Sequence, residues 1–194
     1  MNYPKKLAVG ICGASGVHLA LKFIEALPND IEVFVVASKG ASKVYEREKY
    51  QLFRESDLQQ AILGLKRKVV VLQNDALDSC LSSGSFKLEA LCVIPTSTDM
   101  LAKIAQGISD NLIARSASVV LKEKRVLLLC VREMPLNAIM LQNMLTLATL
   151  GAHVAPPIPA YYTNPQNLDD MENFFVGKWL DLLRIPHKLF KPWG

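Results

Sequence analysis

The 194-residue chain is short of cysteine, of aromatic residues, of net charge and of long apolar runs. Its four cysteines, Cys12, Cys80, Cys92 and Cys130, show no CxxC spacing. Three of them lie in apolar runs, where a thiol behaves as a small hydrophobe, so neither a zinc site nor a disulfide framework is expected. Aromatic residues make up 7%, and 22 Lys+Arg against 18 Asp+Glu leave a net charge of +4. No basic stripe with interleaved aromatics follows from this, so no nucleic-acid partner is expected and small anionic ligands suit the chain at least as well. The longest apolar stretches, 126–131 and 138–141, fall far short of the roughly 18 residues that a membrane span needs. Gly10, Gly13 and Gly16 interrupt the apolar run after Lys5 and Lys6, and no cleavage region follows, which favours a cytoplasmic protein. His18, His153 and His187 have no Asp or Ser partner at a telling spacing, and no metal cluster or Ser-His-Asp arrangement is discernible.

Half of the chain is hydrophobic, 51%, and at this length a single domain buries about 70% of its unfolded surface without staples. Residues 1–184 are expected to form one domain. Residues 185–194, with Pro186, Pro192 and Trp193, read as a tail docked on that domain or on a neighbouring subunit.

Strand-length apolar runs at 5–12, 31–37, 69–72, 88–94, 125–131 and 153–155 alternate with helical spacing at 17–27, 97–106, 110–124, 136–150 and 167–183. Shorter helices are expected from Ser38 to Tyr45 and from a Ser56-x-x-Gln59 capping box to Leu63. Asp110 and Asn167 are the expected caps of their helices, and Gly151 the residue that ends the helix before it. The economical topology is an α/β, Rossmann-like (flavodoxin-type) three-layer arrangement, a parallel sheet with helices on both faces.

Ligands of such sheets sit beyond the carboxyl ends of the strands. Gly13-Ala14-Ser15-Gly16 falls there and suits a phosphate, though a turn serving only helix packing has the same composition. The full dinucleotide fingerprint is lacking, and the second strand ends in Val36-Ala37-Ser38 without an acid, which disfavours an NAD-type ribose contact. Pro95-Thr96-Ser97-Thr98 and Ser82-Ser83-Gly84-Ser85 are expected at the same edge, although hydroxyl clusters also serve as caps and turns. Arg132-Glu133 follows a strand as a charge pair, either solvated or facing a ligand as a proton carrier. Glu48 sits in an ordinary charged helix end. Arg115 and Lys122, seven apart on one helix, share a face that is either a solvated stripe or an anion site.

Taken together, G-A-S-G at 13–16, S-K at 38–39, S-S-G-S at 82–85, D-N-L-I-A-R at 110–115, V-L-K-E-K-R at 120–125, V-R-E-M-P-L at 131–136, P-P-I-P-A-Y-Y at 156–162 and L-D-D-M at 168–171 resemble the UbiX-type flavin prenyltransferases. The resemblance covers nearly the whole chain. It implies a homo-oligomer, usually a dodecamer built from trimers, that transfers a dimethylallyl group from dimethylallyl phosphate to reduced FMN. The product would serve UbiD-type decarboxylases, in ubiquinone biosynthesis or aromatic acid metabolism, and no metal is implied. Carried over by motif, Gly13, Ala14, Ser15, Ser38, Ser97, Thr98, Asp99, Met100 and Arg132 would hold FMN. Ser15, Glu133 and, as a third candidate, Glu48 would move protons. Tyr162 and Lys178 would bind the prenyl phosphate with Arg115, Lys122, Ser83 and Gly84, across a subunit boundary.

Three departures from the family pattern stand out. Lys178 occupies a position more often held by arginine, Met100 replaces a usual threonine, and 73–80 contains no tryptophan. Two alternatives are an FMN-dependent cysteine decarboxylase of the same superfamily and a non-catalytic FMN carrier. The first lacks its expected histidine and asparagine turn here, and the second does not explain Glu133, Tyr162, Arg115 and Lys122 at motif positions.

Overall fold

The computed structural model describes residues 3–48 and 57–191. Six strands, β1 (Lys6–Ile11), β2 (Glu32–Ala37), β3 (Val70–Gln73), β4 (Ala90–Thr96), β5 (Val126–Val131) and β6 (His153–Val154), form one sheet in the order β3-β2-β1-β4-β5-β6. Every pairing is parallel. A parallel sheet must be covered on both faces, and the central strands are accordingly apolar at consecutive positions: Leu7 to Val9 and Leu91 to Ile94 are buried throughout.

Alternate strand residues feed two separate cores. Leu7, Val9, Ile11, Val33, Val35, Cys92 and Cys130 point to the face covered by α1 (Val17–Ala26), α3 (Leu58–Leu63) and α7 (Leu168–Leu182). Ala8, Phe34, Val36, Leu91, Val93, Leu127 and Leu129 point to the face covered by α4 (Thr98–Ala105), α5 (Leu112–Lys122) and Leu147 of α6 (Ala138–Thr149). Each fully buried aliphatic side chain adds about 1.5–3 kcal/mol, and strands and covering helices both contribute such side chains to the two cores. The remaining helix, α2 (Lys39–Glu48), follows β2 and is tied to Ser38, whose Oγ accepts the Ala41 N–H at 3.1 Å.

The expected elements are present, with adjusted ends. Asn111, not Asp110, caps α5: its Oδ1 accepts the Ala114 N–H at 3.1 Å, while Asp110 turns outward to Lys103 at 2.9 Å. Strand β4 continues past Ile94 to Thr96 because the register with β5 shifts between Val93 and Thr96, where Pro95 needs no donor. Asn167 caps α7, and Gly151 after α6 is left-handed with φ +92°, both as expected. Asp57 caps α3 through the Gln60 N–H; the Ser56 of the expected capping box lies outside the described residues, as do Pro192 and Trp193 of the tail.

An ion cluster with a buried His18–Glu172 pair joins α1 to α7. His18 Nε2 lies 2.7 Å from Glu172 Oε1, and Lys22 Nζ lies 3.2 Å from Glu172 Oε2 and 2.5 Å from Asp169. Burial pushes the Glu172 carboxyl up, but the His18 hydrogen bond and charge, with Lys22, outweigh it and hold the group below its ordinary value of 4.5. A carboxyl depressed in the folded state stabilises the fold above its unfolded pKa, and that contribution is lost as pH falls through the folded value. Denaturant unfolding is therefore expected to show stability falling below pH 4.5, and Glu172→Gln to make that fall shallower. An unchanged slope in the variant would remove Glu172 from the acid response.

Candidate active site

The strand order reverses direction between β1 and β4, and there the carboxyl ends of the strands open a crevice. A cleft of about 640 Å³ lies at this edge, lined by Cys12, Gly13, Ser38, Gly40, Ser97 and Met100 among others. Its floor is narrow for a geometric reason. A Cβ on Gly13 would stand 2.9 Å from the Gly40 backbone, so the turn after β1 and the start of α2 touch only because both residues lack side chains. Cys12 N–H donates to Pro95 O at 3.2 Å and Ser38 N–H to Ile11 O at 2.9 Å, which locks the ends of β1, β2 and β4 together. The starts of α2 and α4, and the residues just before α5, thus line one cavity. Burial pushes the Cys12 thiol in its wall up to about 12, so it is not a thiolate nucleophile.

Of the residues singled out in the sequence, Gly13, Ser38, Ser97, Thr98, Asp99 and Met100 line this cleft, and Ala14 and Ser15 continue the Gly13 turn. Ser97 caps α4, its Oγ accepting the Met100 N–H at 3.3 Å, and the Met100 side chain enters the core. Glu48 is no ordinary helix end. Its carboxylate accepts the N–H groups of Gly16 (2.9 Å) and Val17 (3.3 Å), capping α1 from a distant part of the chain because Gly16, at φ +94°, offers no side chain. Arg132 and Glu133 follow β5 at the same edge; both are exposed, and Glu133 accepts the Met134 N–H at 2.9 Å.

The expectation of a single hydroxyl-rich rim needs correction. Arg125, just before β5, donates to Gly84 O at 2.8 Å and to Leu88 O at 3.1 Å, which places Ser83 and Gly84 at the amino edge of the sheet. Lys122 is there too, with Nζ 2.8 Å from Glu123 Oε1. Arg115 lies on the first turn of α5, about 10 Å along the axis from Lys122 at 1.5 Å per residue. Within one protomer, then, Lys122, Ser83 and Gly84 lie across the sheet from Gly13, Ser38 and Ser97. Tyr162 and Lys178 line a separate cleft of about 870 Å³ with Asp181 and the segment after α7.

A family model described as Flavoprotein matches residues 1–178. The flavin prenyltransferase UbiX of Helicobacter pylori strain J99 is 47% identical over 189 residues, 97% of this chain and 98% of the relative. The chain belongs to the UbiX flavin prenyltransferases. Among solved structures, AnUbiX (PadA1) in complex with FMN and dimethylallyl pyrophosphate superimposes with a TM-score of 0.90 at 33% identity, covering 98% of each chain. A dodecameric FMN-dependent UbiX-like decarboxylase from Escherichia coli O157:H7 gives 0.88 at 36% identity, covering 97% of this chain and 99% of the other.

In this UbiX chain, reasoning from sequence missed Gly40, Asn74 and Asn111 in the cleft wall. Asn74 holds the start of α5, its Oδ1 accepting the Ile113 N–H at 3.2 Å and its backbone O the Leu112 N–H at 2.7 Å. An asparagine directly after a strand was the available signal. The Gly13–Gly40 contact makes a sharp expectation for this UbiX: Gly13→Ala forces backbone apart and weakens FMN binding at least about tenfold. Fluorescence titration of FMN checks it, and parental affinity would show that the close approach does not shape the cleft.

Proposed function

We propose that this chain transfers the dimethylallyl group of dimethylallyl phosphate to reduced FMN, forming prenylated FMN for UbiD-type decarboxylases. Full-length similarity to the H. pylori flavin prenyltransferase carries the reading. The AnUbiX (PadA1) complex with FMN and dimethylallyl pyrophosphate supports the same ligands here, and the dodecameric E. coli neighbour supports a homo-oligomer of that size. Among the described residues no helix is long and apolar enough to cross a membrane, and we place the enzyme in the cytoplasm.

The cleft at the carboxyl edge fits a flavin mononucleotide. Ser38 and Ser97, before α2 and α4, offer hydroxyls to it, and Gly13 and Gly40 line the cleft without side chains. Gly13, Ala14 and Ser15 would hold it with Ser38, with Ser97, Thr98, Asp99 and Met100, and with Arg132. The Met100 side chain is packed in the core, so its contact would be made by the main chain. Bound and reduced, FMN supplies the nucleophilic N5.

The residues of this chain act on charge and protons. Breaking an allylic C–O bond builds negative charge on the departing phosphate, and Lys178, Arg115, Lys122 and the Tyr162 hydroxyl stabilise it. Since Lys122, Ser83 and Gly84 lie at the opposite edge of their own protomer, they serve a neighbouring copy. Glu133 is exposed beside the cleft and holds one oxygen on the Met134 N–H, leaving the other to take a proton. Glu48, with its carboxylate on the Gly16 and Val17 N–H groups, fixes the turn that presents Ser15. In an anaerobic time course, inorganic phosphate is expected to appear in step with loss of reduced FMN, one for one, and not with oxidised FMN. Phosphate release that ignores the flavin redox state would contradict the reading.

A further inference from the structure

Helix α7 carries a glycine at its middle, a residue that weakens a helix and therefore calls for a reason. The reason lies in the segment that follows. A Cβ on Gly177 would stand 2.5 Å from Phe190 Cε1 and 2.8 Å from His187 Cε1, so the helix surface is notched where these two rings lie. Ile185 is fully buried and anchors the segment to the core. The His187 side chain is 9% exposed, and its ring centroid is 5.2 Å from that of Phe190.

From this seat two chains of contact run to residues assigned to the prenyl donor. His187 Nδ1 accepts the Leu189 N–H at 3.2 Å, which leaves Nε2 as the donor to Asp181 Oδ1 at 3.0 Å. The other oxygen of Asp181 lies 3.2 Å from Lys178 Nζ. Phe190 packs on Phe174 with centroids 5.1 Å apart, and Phe174 packs edge-on against Tyr162 at 5.8 Å.

We propose that Ile185–Phe190 is a positioning element of the prenyl-donor site, in which His187, through Asp181, sets the ammonium of Lys178 and Phe190, through Phe174, sets the ring of Tyr162. The inference rests on the reading of Tyr162 and Lys178 as donor-binding residues. A lysine ammonium is a point charge on a flexible stem, without the pre-set fork of an arginine, so an external restraint matters more at this position than where arginine stands. Asp181 takes one of its three protons and leaves two for phosphate oxygens.

The test is calorimetric titration of dimethylallyl phosphate into the full-length protein holding oxidised FMN, a state without transfer, combined with trypsin cleavage after Lys188. Gly177→Ala keeps the helix, since alanine is the better helix former. It is expected to speed cleavage, to weaken donor binding about tenfold, and to leave FMN affinity unchanged. Asp181→Asn and His187→Ala are expected to weaken the donor by a similar factor. His187→Gln, which keeps a donor for Asp181, is expected to stay within about threefold of the parent.

Tighter donor binding in Asp181→Asn would overturn the proposal, because it would make Asp181 a mere opposing charge. So would a Gly177→Ala protein that is cut faster yet binds the donor as the parent does. A parent that binds FMN but no dimethylallyl phosphate would overturn the donor-site reading itself, and the proposal with it.

Discussion

Replacing Glu133 with glutamine is expected to leave FMN binding unchanged and to slow prenyl transfer by about two to four orders of magnitude, the range that one positioned general base supplies. The side chain follows β5 at the open edge of the sheet, exposed, with one oxygen anchored on the Met134 N–H. Glutamine preserves that anchor, because its carbonyl oxygen accepts the same N–H, and removes only the group that takes a proton. A lowered kcat with unchanged dimethylallyl phosphate affinity is the expected signature in anaerobic kinetics. Parental turnover would move the proton-transfer role to Ser15 or Glu48. Glu48→Gln offers the contrast: a neutral amide oxygen still caps the Gly16 and Val17 N–H groups, so the Ser15 turn survives and the loss is smaller.

The second large effect concerns assembly. Helix α6 buries little more than Asn143 and Leu147 against its own protomer, while Ile139, Leu145 and Leu150 are 73%, 59% and 62% exposed. Met134, in the loop before it, is 87% exposed. Exposed apolar side chains in such number mark an interaction surface, and the occupant we propose for it is a second copy of the chain, as in the dodecameric E. coli neighbour. Ile139→Asp combined with Leu145→Asp is expected to convert the proposed oligomer to small species in sedimentation velocity. Turnover is expected to drop at least about a hundredfold, because Lys122 and its neighbours then serve no adjoining site. A variant that stays assembled, or a small species with full turnover, would contradict an intermolecular site.

Most of the architecture was legible in the sequence because it depends on local rules. Apolar runs of strand length, separated by helical spacing that Asn167 opens and Gly151 closes, state a parallel three-layer sheet without reference to distant residues. Asp110 and Asn111 show where local rules run out: either residue caps a helix, and the choice was made by Lys103, from another element, which draws Asp110 outward. Six of the expected residues, Gly13, Ser38 and Ser97 to Met100, line the cleft, but the arrangement of the rest was not legible. Family motifs name Ser83, Gly84 and Lys122 beside Ser38 and Ser97, yet nothing in a sequence says that the first three occupy the far edge of the sheet. Glu48 looked like a solvated helix end because its partner, the bare start of α1, is more than thirty residues earlier. Gly177 carries no local signal at all, since the rings that require it to be glycine arrive only after α7 has ended.

The central claim is prenyl transfer to a flavin, and mass spectrometry of the extracted flavin tests it most directly. Purified protein incubated without oxygen with reduced FMN and dimethylallyl phosphate is expected to yield a flavin heavier by one prenyl unit, and Glu133→Gln to yield almost none. Flavin recovered unchanged from a protein that binds both ligands would contradict the account.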